Sequence, residues 1–306
     1  MLIAACSGKP EPPPTPAGSA APAGSAVLAA TRCEAMPFAE STPVPEASGA
    51  AWLDGKLVVI GDSGNHGAYG IVDPDSGATI EQGHVPMGDW GDDFEGLAVR
   101  SGTLYALLSG GHIVHYARDG AGFRVVDPPQ PIGSVIAKAD MPKMTMMSDK
   151  SVPGTGMVCG SPRENNCGRN FEGLCLDDEA TRGASDCAGF AASKSDGKLY
   201  CLVEHDGRYT ADASRAITVT KPGALADCAF DDRGQLWAGN NFFDRSEVYR
   251  IDDWRDPAHA KVVEVGSLGV GFPEVIAVRG DIVYRMSDTG GSPSLMSKFR
   301  CTPGTR

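Results

Sequence analysis

Phe94-Glu95-Gly96-Leu97-Ala98 returns 77 residues later as Phe171-Glu172-Gly173-Leu174-Cys175, and this repetition decides how the rest of the chain is read. Each copy leads through a turn into a second apolar run, Leu104-Tyr105-Ala106-Leu107 after the first and Leu199-Tyr200-Cys201-Leu202 after the second. Fainter copies flank both. Ser48-Gly49-Ala50-Ala51 precedes Leu57-Val58-Val59-Ile60, Ala226-Asp227-Cys228-Ala229 precedes Leu236-Trp237-Ala238, and Glu274-Val275-Ile276-Ala277 precedes Ile282-Val283-Tyr284. With the Glu95 position as marker the steps are 47, 77, 54 and 48 residues. A period of about 40–50 residues built from short strands is the mark of a β-propeller.

Further runs supply the third and outer strands of each unit. Ala68–Val72, His112–Tyr116 and Glu247–Ile251 have the apolar content of third strands, and Ala78–Glu81, Phe123–Val126 and Lys261–Val265 that of outer ones. Asp75-Ser76-Gly77, Arg118-Asp119-Gly120 and Asp232-Arg233-Gly234 carry turn chemistry between them. The fold class is therefore all-β, a propeller of five four-stranded blades. The last repeat lacks an outer strand of its own, which residues 31–40 can supply to close the ring. Six blades is the alternative, because the second step holds about 30 extra residues from Ala137 to Asn170. That insertion includes Met141, Met144, Met146 and Met147, thioethers that either pack down on the blades or hold Cu(I).

Composition agrees. Gly 39 and Pro 22 in 306 residues favour many turns over long helices. A net charge of −12 excludes a nucleic-acid partner, which needs a basic stripe, and suits a protein that attracts cations.

Met1-Leu2-Ile3-Ala4-Ala5-Cys6-Ser7 resembles the end of a bacterial lipoprotein signal, cut before a cysteine that is then acylated. Residues 1–6 are thus expected to be a signal remnant with the lipid on Cys6, and 31–306 the propeller domain. Residues 7–30, mostly Pro, Ala, Gly and Ser, have almost nothing to bury and are expected to form a disordered tether. Such a tether reaches about 60–70 Å at ~3 Å per residue. Serine after the lipid-bearing cysteine resembles the outer-membrane pattern, so the expected location is the cell envelope, anchored by lipid in the outer membrane.

Of nine cysteines, setting Cys6 apart leaves eight, an even number that fits bridges in an oxidising compartment. Cys33 and Cys301 sit at opposite ends of the domain, where a ring must close. Cys159 and Cys167 share one loop, and Cys175 and Cys201 are expected on neighbouring strands.

In each blade the first strand runs one way and the second returns, so the start of the first and the end of the second share a face. Glu95, Glu172 and Glu274 are therefore expected to gather at one mouth of the central channel with Ser48 and Ala226. Asp62, Ser109, Glu204, Asn241, Ser287 and Asp288 are expected just outside them, with His205 beside Glu204. Like charges this close require a cation or hydrogen-bond donors. Carboxylate, amide and hydroxyl oxygens suit Ca²⁺, while the alternative is that each Glu latches onto backbone N–H groups of the next blade.

The Glu-Gly-Leu strand starts, with Leu199-Tyr200-Cys201-Leu202-Val203-Glu204, resemble the SdiA-regulated propellers and the "esterase-like activity of phytase" family over roughly residues 45–300. The resemblance implies an envelope propeller, with calcium as a cofactor. The expected function is binding of a ligand, protein partner or Ca²⁺ at the channel mouth, with Ca²⁺-dependent ester or phosphate hydrolysis as the alternative. A third reading comes from Gly61-Asp62-Ser63-Gly64, which resembles the opening of the GDSL serine hydrolases, with Asp256 and His259 as their late Asp-x-x-His. Against it, that family needs helices alternating with parallel strands, and no helical period appears between 66 and 250.

Overall fold

The computed structural model describes residues 31–135, 157–164, 167–178, 185–220, 224–241 and 246–303. Cys6, the segment 7–30 and the four methionines of the insertion lie outside them. Among the described residues there is no helix.

The strands form five blades, each ordered from the channel outward. Blade 1 is β3 (Ala47–Leu53), β4 (Lys56–Gly61), β5 (Ala68–Val72) and β6 (Thr79–His84). Blade 2 is β7 (Phe94–Arg100), β8 (Thr103–Leu108), β9 (His112–Asp119) and β10 (Gly122–Pro131). Blade 3 is β11 (Phe171–Leu176), β12 (Cys187–Ser193), β13 (Lys198–His205) and β14 (Arg208–Thr218). Blade 4 is β15 (Leu225–Phe230), β16 (Leu236–Asn240), β17 (Glu247–Asp252) and β18 (Lys261–Ser267). Blade 5 is β19 (Phe272–Arg279), β20 (Ile282–Asp288) and β21 (Pro293–Pro303), completed by β1 (Thr31–Met36) from the other end of the chain. The short β2 (Ser41–Pro45) also pairs with β21. The blade count is five, not six, and the innermost strands touch in cyclic order.

The apolar side chains bury themselves between blades rather than around one centre. Five clusters result, one for each interface. Val58, Ile60, Leu104 and Leu108 fill the first, and Ala47, Leu57, Val275 and Met286 fill the one that joins blade 5 back to blade 1. Alternating side chains on a strand buried on both faces need this arrangement, because each sheet has a neighbour on either side.

Ring closure is covalent as well as hydrogen-bonded. Cys33 stands opposite Cys301 in the β1–β21 register and is bridged to it, and Cys159 is bridged to Cys167 in the insertion. The expected Cys175–Cys201 bridge is not formed. Phe190 of β12 faces both residues in register, so β12 separates their strands. Cys175 is instead joined to Cys228 on the next blade, and Cys201 to Cys187. Replacing Cys33 and Cys301 together by Ser is expected to reduce unfolding free energy by about 2–4 kcal/mol, read by denaturant titration, because the bridge ties the closing strand across the whole domain.

Candidate functional site

The inner strands share one irregularity. In β3, β7, β11, β15 and β19 the register with the second strand slips by one residue, at Ser48, Glu95, Glu172, Ala226 and Glu274. A bulge re-aims the extra residue's side chain, so the marker positions of the sequence repeat are the five bulges. The glycine after Glu has a separate cause. A Cβ on Gly96 would stand 2.4 Å from the Leu174 nitrogen, and one on Gly173 would stand 2.6 Å from the Asp227 Cα. The inner strands pass too close for any side chain there.

The bulged glutamates are buried, at 7% exposure for Glu95, 3% for Glu172 and 7% for Glu274. Glu172 accepts hydrogen bonds from Asn170 Nδ2 at 2.7 Å and Lys194 Nζ at 2.6 Å. Glu274 accepts one from Asn241 Nδ2 at 2.6 Å, with Lys194 Nζ 3.9 Å away. Glu95 makes no hydrogen bond to a described residue, and the charges that act on it most strongly, Glu172, Asp62, Asp93 and Glu274, share its sign. Carboxylate oxygens of Glu95, Asp62 and Asp93 lie within 4.8 Å of one another. Ser109 Oγ donates to Asp93, and the Ser63 N–H to Asp62.

The electrostatics follow from this crowding. Burial, then Glu172, Asp62, Asp93 and Glu274, push the Glu95 carboxyl well above the usual range. Burial raises Asp62 to about 7 and Glu274 to about 8, and it raises Glu172 against the pull of Lys194. Burial alone would lower the Lys194 ammonium, but Glu172, Glu274 and Glu95 outweigh it and hold it charged. Among the described residues, five acids thus face one lysine.

The latch expected of the glutamates exists elsewhere. Ser48 Oγ donates to the Phe94 carbonyl at 2.6 Å, tying blade 1 to blade 2. Asp227 accepts from the Cys228 N–H and, at 3.0 Å, from the Ile276 N–H of blade 5. The glutamates take side-chain donors or none, so they are left for the mouth.

Of the residues expected around them, Asp62 and Asn241 are at the mouth, and Asp288 is near enough to raise Glu274 while it caps its own turn through the Gly290 N–H. Glu204 is not there. It pairs with Arg100 Nη1 at 2.5 Å, at the far end of β7, and His205 shares that face. In the repeat Leu199–Leu202 stands where a second strand is expected, whereas in blade 3 it is the third, and strands alternate in direction. The position belongs to Lys194, one residue past β12. Asp93 and Asn170 were missed as well; both stand two residues before a bulge. Glu46 and Ala224 occupy the same place in blades 1 and 4, and with Asn170 they share a left-handed backbone. Extending the repeat by two residues would have found this position, where Asn is readily tolerated.

The serine-hydrolase reading fails on geometry. Gly61–His66 is a turn whose N–H groups at Gly64 and His66 bind Asp92 Oδ2, so it serves to hold Asp62 over the mouth. His259, paired with Asp256 at 2.7 Å, sits on the turn after β17, which opens on the opposite face at the outer edge of blade 4.

No model of a known protein family matches the chain, and no curated protein is similar to it in sequence. Solved structures are similar in shape. A luciferin-regenerating enzyme is 11% identical, with a TM-score of 0.50 over 89% of this chain and 95% of that one. Glutaminyl cyclase of Myxococcus xanthus is 14% identical, with a TM-score of 0.50 over 90% and 99%. At these identities the likeness shows the fold alone. The fold and the mouth together define a five-bladed β-propeller with an acid-lined channel end.

Proposed function

We propose that this propeller is an exported, lipid-anchored binding protein whose acid mouth holds a cation, with Ca²⁺ the ion that the donors fit. The observation that carries the reading is the grouping of Asp62, Asp93 and Glu95 within 4.8 Å around a buried carboxyl that no described donor satisfies. The Oδ1 atoms of Asn170 and Asn241 are buried without a hydrogen-bond partner among the described residues, and amide oxygens are donors Ca²⁺ also takes. Bound there, the ion would neutralise repulsion that Lys194 offsets only in part. Export is supported by the eight cysteines of the domain forming four bridges, a pattern of oxidising compartments. The anchor on Cys6 and an outer-membrane location belong to the same proposal, as does an envelope ligand or protein partner.

The test is calorimetric titration of the metal-stripped protein with Ca²⁺. One ion is expected to bind, and Glu95→Gln is expected to weaken it by about tenfold or more, the equivalent of ~1.4 kcal/mol. Unchanged affinity in Glu95→Gln sinks the reading.

Hydrolysis of an ester or phosphate is the second reading, favoured by carboxyls that titrate near neutral pH, Asp62 at about 7 and Glu274 at about 8. It lacks cations for a phosphate: Lys194 is engaged by Glu172, and Arg285 is fully buried against the Asn240 and Pro273 carbonyls. A phosphatase and esterase screen with and without Ca²⁺ separates the two readings, since turnover that needs Ca²⁺ establishes the second.

A further inference from the structure

The inner strands run from the acid mouth to the opposite face, and there their ends line a cavity of about 390 Å³. That volume lies in the range of small-molecule sites. All five blades contribute, and the walls are small and apolar, with Ala50, Ala98, Leu174 and Ala277 beside the bridged Cys175 and Cys228. Each blade's ladder of hydrogen bonds ends at its inner strand. The backbone N–H and C=O groups on the channel side of those strands are therefore not consumed by sheet pairing, and small side chains leave them within reach of a ligand.

The rim carries charge unevenly. Blades 3 and 4 bring Asp177, Asp178, Asp231 and Asp232, while blade 5 brings Arg279, which lies over the Trp52 ring of blade 1 at 5.2 Å. Asp231 accepts the Arg233 and Gln235 N–H groups through Oδ1, and Asp232 accepts the Gly280 N–H through Oδ1. The Oδ2 atom of each accepts no hydrogen bond from a described residue. Among the described residues the open carboxyl oxygens of Asp231 and Asp232 disfavour an anion at this part of the rim. The aliphatic wall offers a bare metal ion few ligands, yet it suits an apolar body.

We propose that this cavity is a second binding site, independent of the acid mouth, for a small organic cation. Its ammonium group would sit at the Asp231–Asp232 rim and its apolar body against the alanine-lined wall. The test uses three probes of similar size: tryptamine, neutral 3-methylindole and anionic indole-3-acetate. Each is titrated into the isotope-labelled domain while backbone amide shifts are followed. Tryptamine is expected to bind most tightly and to move the amides of Ala98, Ala229 and Ala277–Gly280 while leaving those of Glu95 and Lys194 in place. Asp231→Asn with Asp232→Asn, on an exposed turn whose Oδ1 acceptors Asn retains, is expected to weaken tryptamine about fivefold, the size of a partly exposed ion pair. Equal binding of indole-3-acetate, shifts centred on Glu95 and Lys194, undiminished binding in the double variant, or no binding of tryptamine at millimolar concentration would each overturn the proposal. Failure of Ca²⁺ binding at the other mouth would leave these readouts unaffected.

Discussion

In a chelating buffer the melting temperature is expected to fall as the pH rises from about 5 to about 8, and saturating Ca²⁺ is expected to remove most of the fall. The sign follows from the buried carboxyls. Burial lifts Asp62 from 3.8 to about 7 and Glu274 from 4.5 to about 8, and lifts Glu95 and Glu172 as well. Between the unfolded and folded values the native state therefore binds more protons than the unfolded one, so stability is present at the acid end and is lost as the pH climbs. Asp62 alone loses about 3 kcal/mol between pH 5 and pH 7, at about 1.4 kcal/mol per pH unit, and the coupled set loses no less. At ~2–4 °C per kcal/mol for a domain of this size, the loss appears as a drop of about 6–12 °C. Asp73, held down by Lys56 and Ser76, and Asp212, held down by Ser214 and Arg215, have the opposite dependence, but only below their ordinary values near pH 4. Within pH 5–8 the buried Asp227 of the latch adds to the fall, while His112 and His115, which burial holds below the usual imidazole value, oppose it below about pH 6.5, so the mouth is read as the part of the change that Ca²⁺ removes. Ca²⁺ binds the ionised form, and at about one hundred times its dissociation constant it returns ~2.7 kcal/mol. A flat curve in chelator would mean that the carboxyls are not held together in the folded chain. The same fall with and without Ca²⁺ would mean that the mouth takes no such ion.

The residues that carry the ring were plain in the sequence because the physics repeats. Every blade needs an apolar first strand, a tight turn and an apolar return, and Ser48, Glu95, Glu172, Ala226 and Glu274 mark the same bulge five times. The Glu-Gly pair itself joins two constraints: the bulge turns Glu towards the mouth, and the neighbouring backbone forbids anything but Gly behind it. The closure of the ring by residues 31–36 was legible from a missing strand and a cysteine at each end. Blade 3 was not, because Cys187-Ala-Gly-Phe-Ala-Ala-Ser193 has little β-branched or alternating character. Its small side chains belong to a strand buried on both faces along its whole length. Passing over it shifted one blade by one strand, which exchanged Glu204 for Lys194 and misplaced a disulfide. The sign of one charge at the mouth depended on that single strand.

That charge carries the second large expected effect, in Lys194→Met. The ammonium lies 2.6 Å from Glu172 Oε2 and 3.9 Å from Glu274 Oε1, and methionine keeps most of the stem while deleting it. With no ammonium, Glu172 and Glu274 keep only the amide donors of Asn170 and Asn241 among the described residues and face each other and the Asp62–Asp93–Glu95 group. Removing one partner from a fully buried pair costs about 3–5 kcal/mol. The Lys194 side chain is 38% exposed, so water recovers part of this, and about 1–3 kcal/mol remains. In chelator the melting temperature is expected to drop by roughly 3–8 °C, with a steeper pH dependence than the parent because the glutamates lose what held them ionised. In Ca²⁺ the order of effects reverses. Deleting a positive charge beside the proposed ion strengthens its binding by about tenfold, the effect of ~1.4 kcal/mol, and frees the Glu172–Glu274 side, with Asn170 and Asn241, to take a second ion. Lys194→Arg keeps the charge and is expected to retain the parent's stoichiometry. Calorimetry of the three proteins side by side reads both changes. If Lys194→Met binds Ca²⁺ no more tightly than the parent and melts at the same temperature in chelator, then Lys194 is not the internal counterion of the mouth, and its contact with Glu172 is a surface pair of little energetic weight.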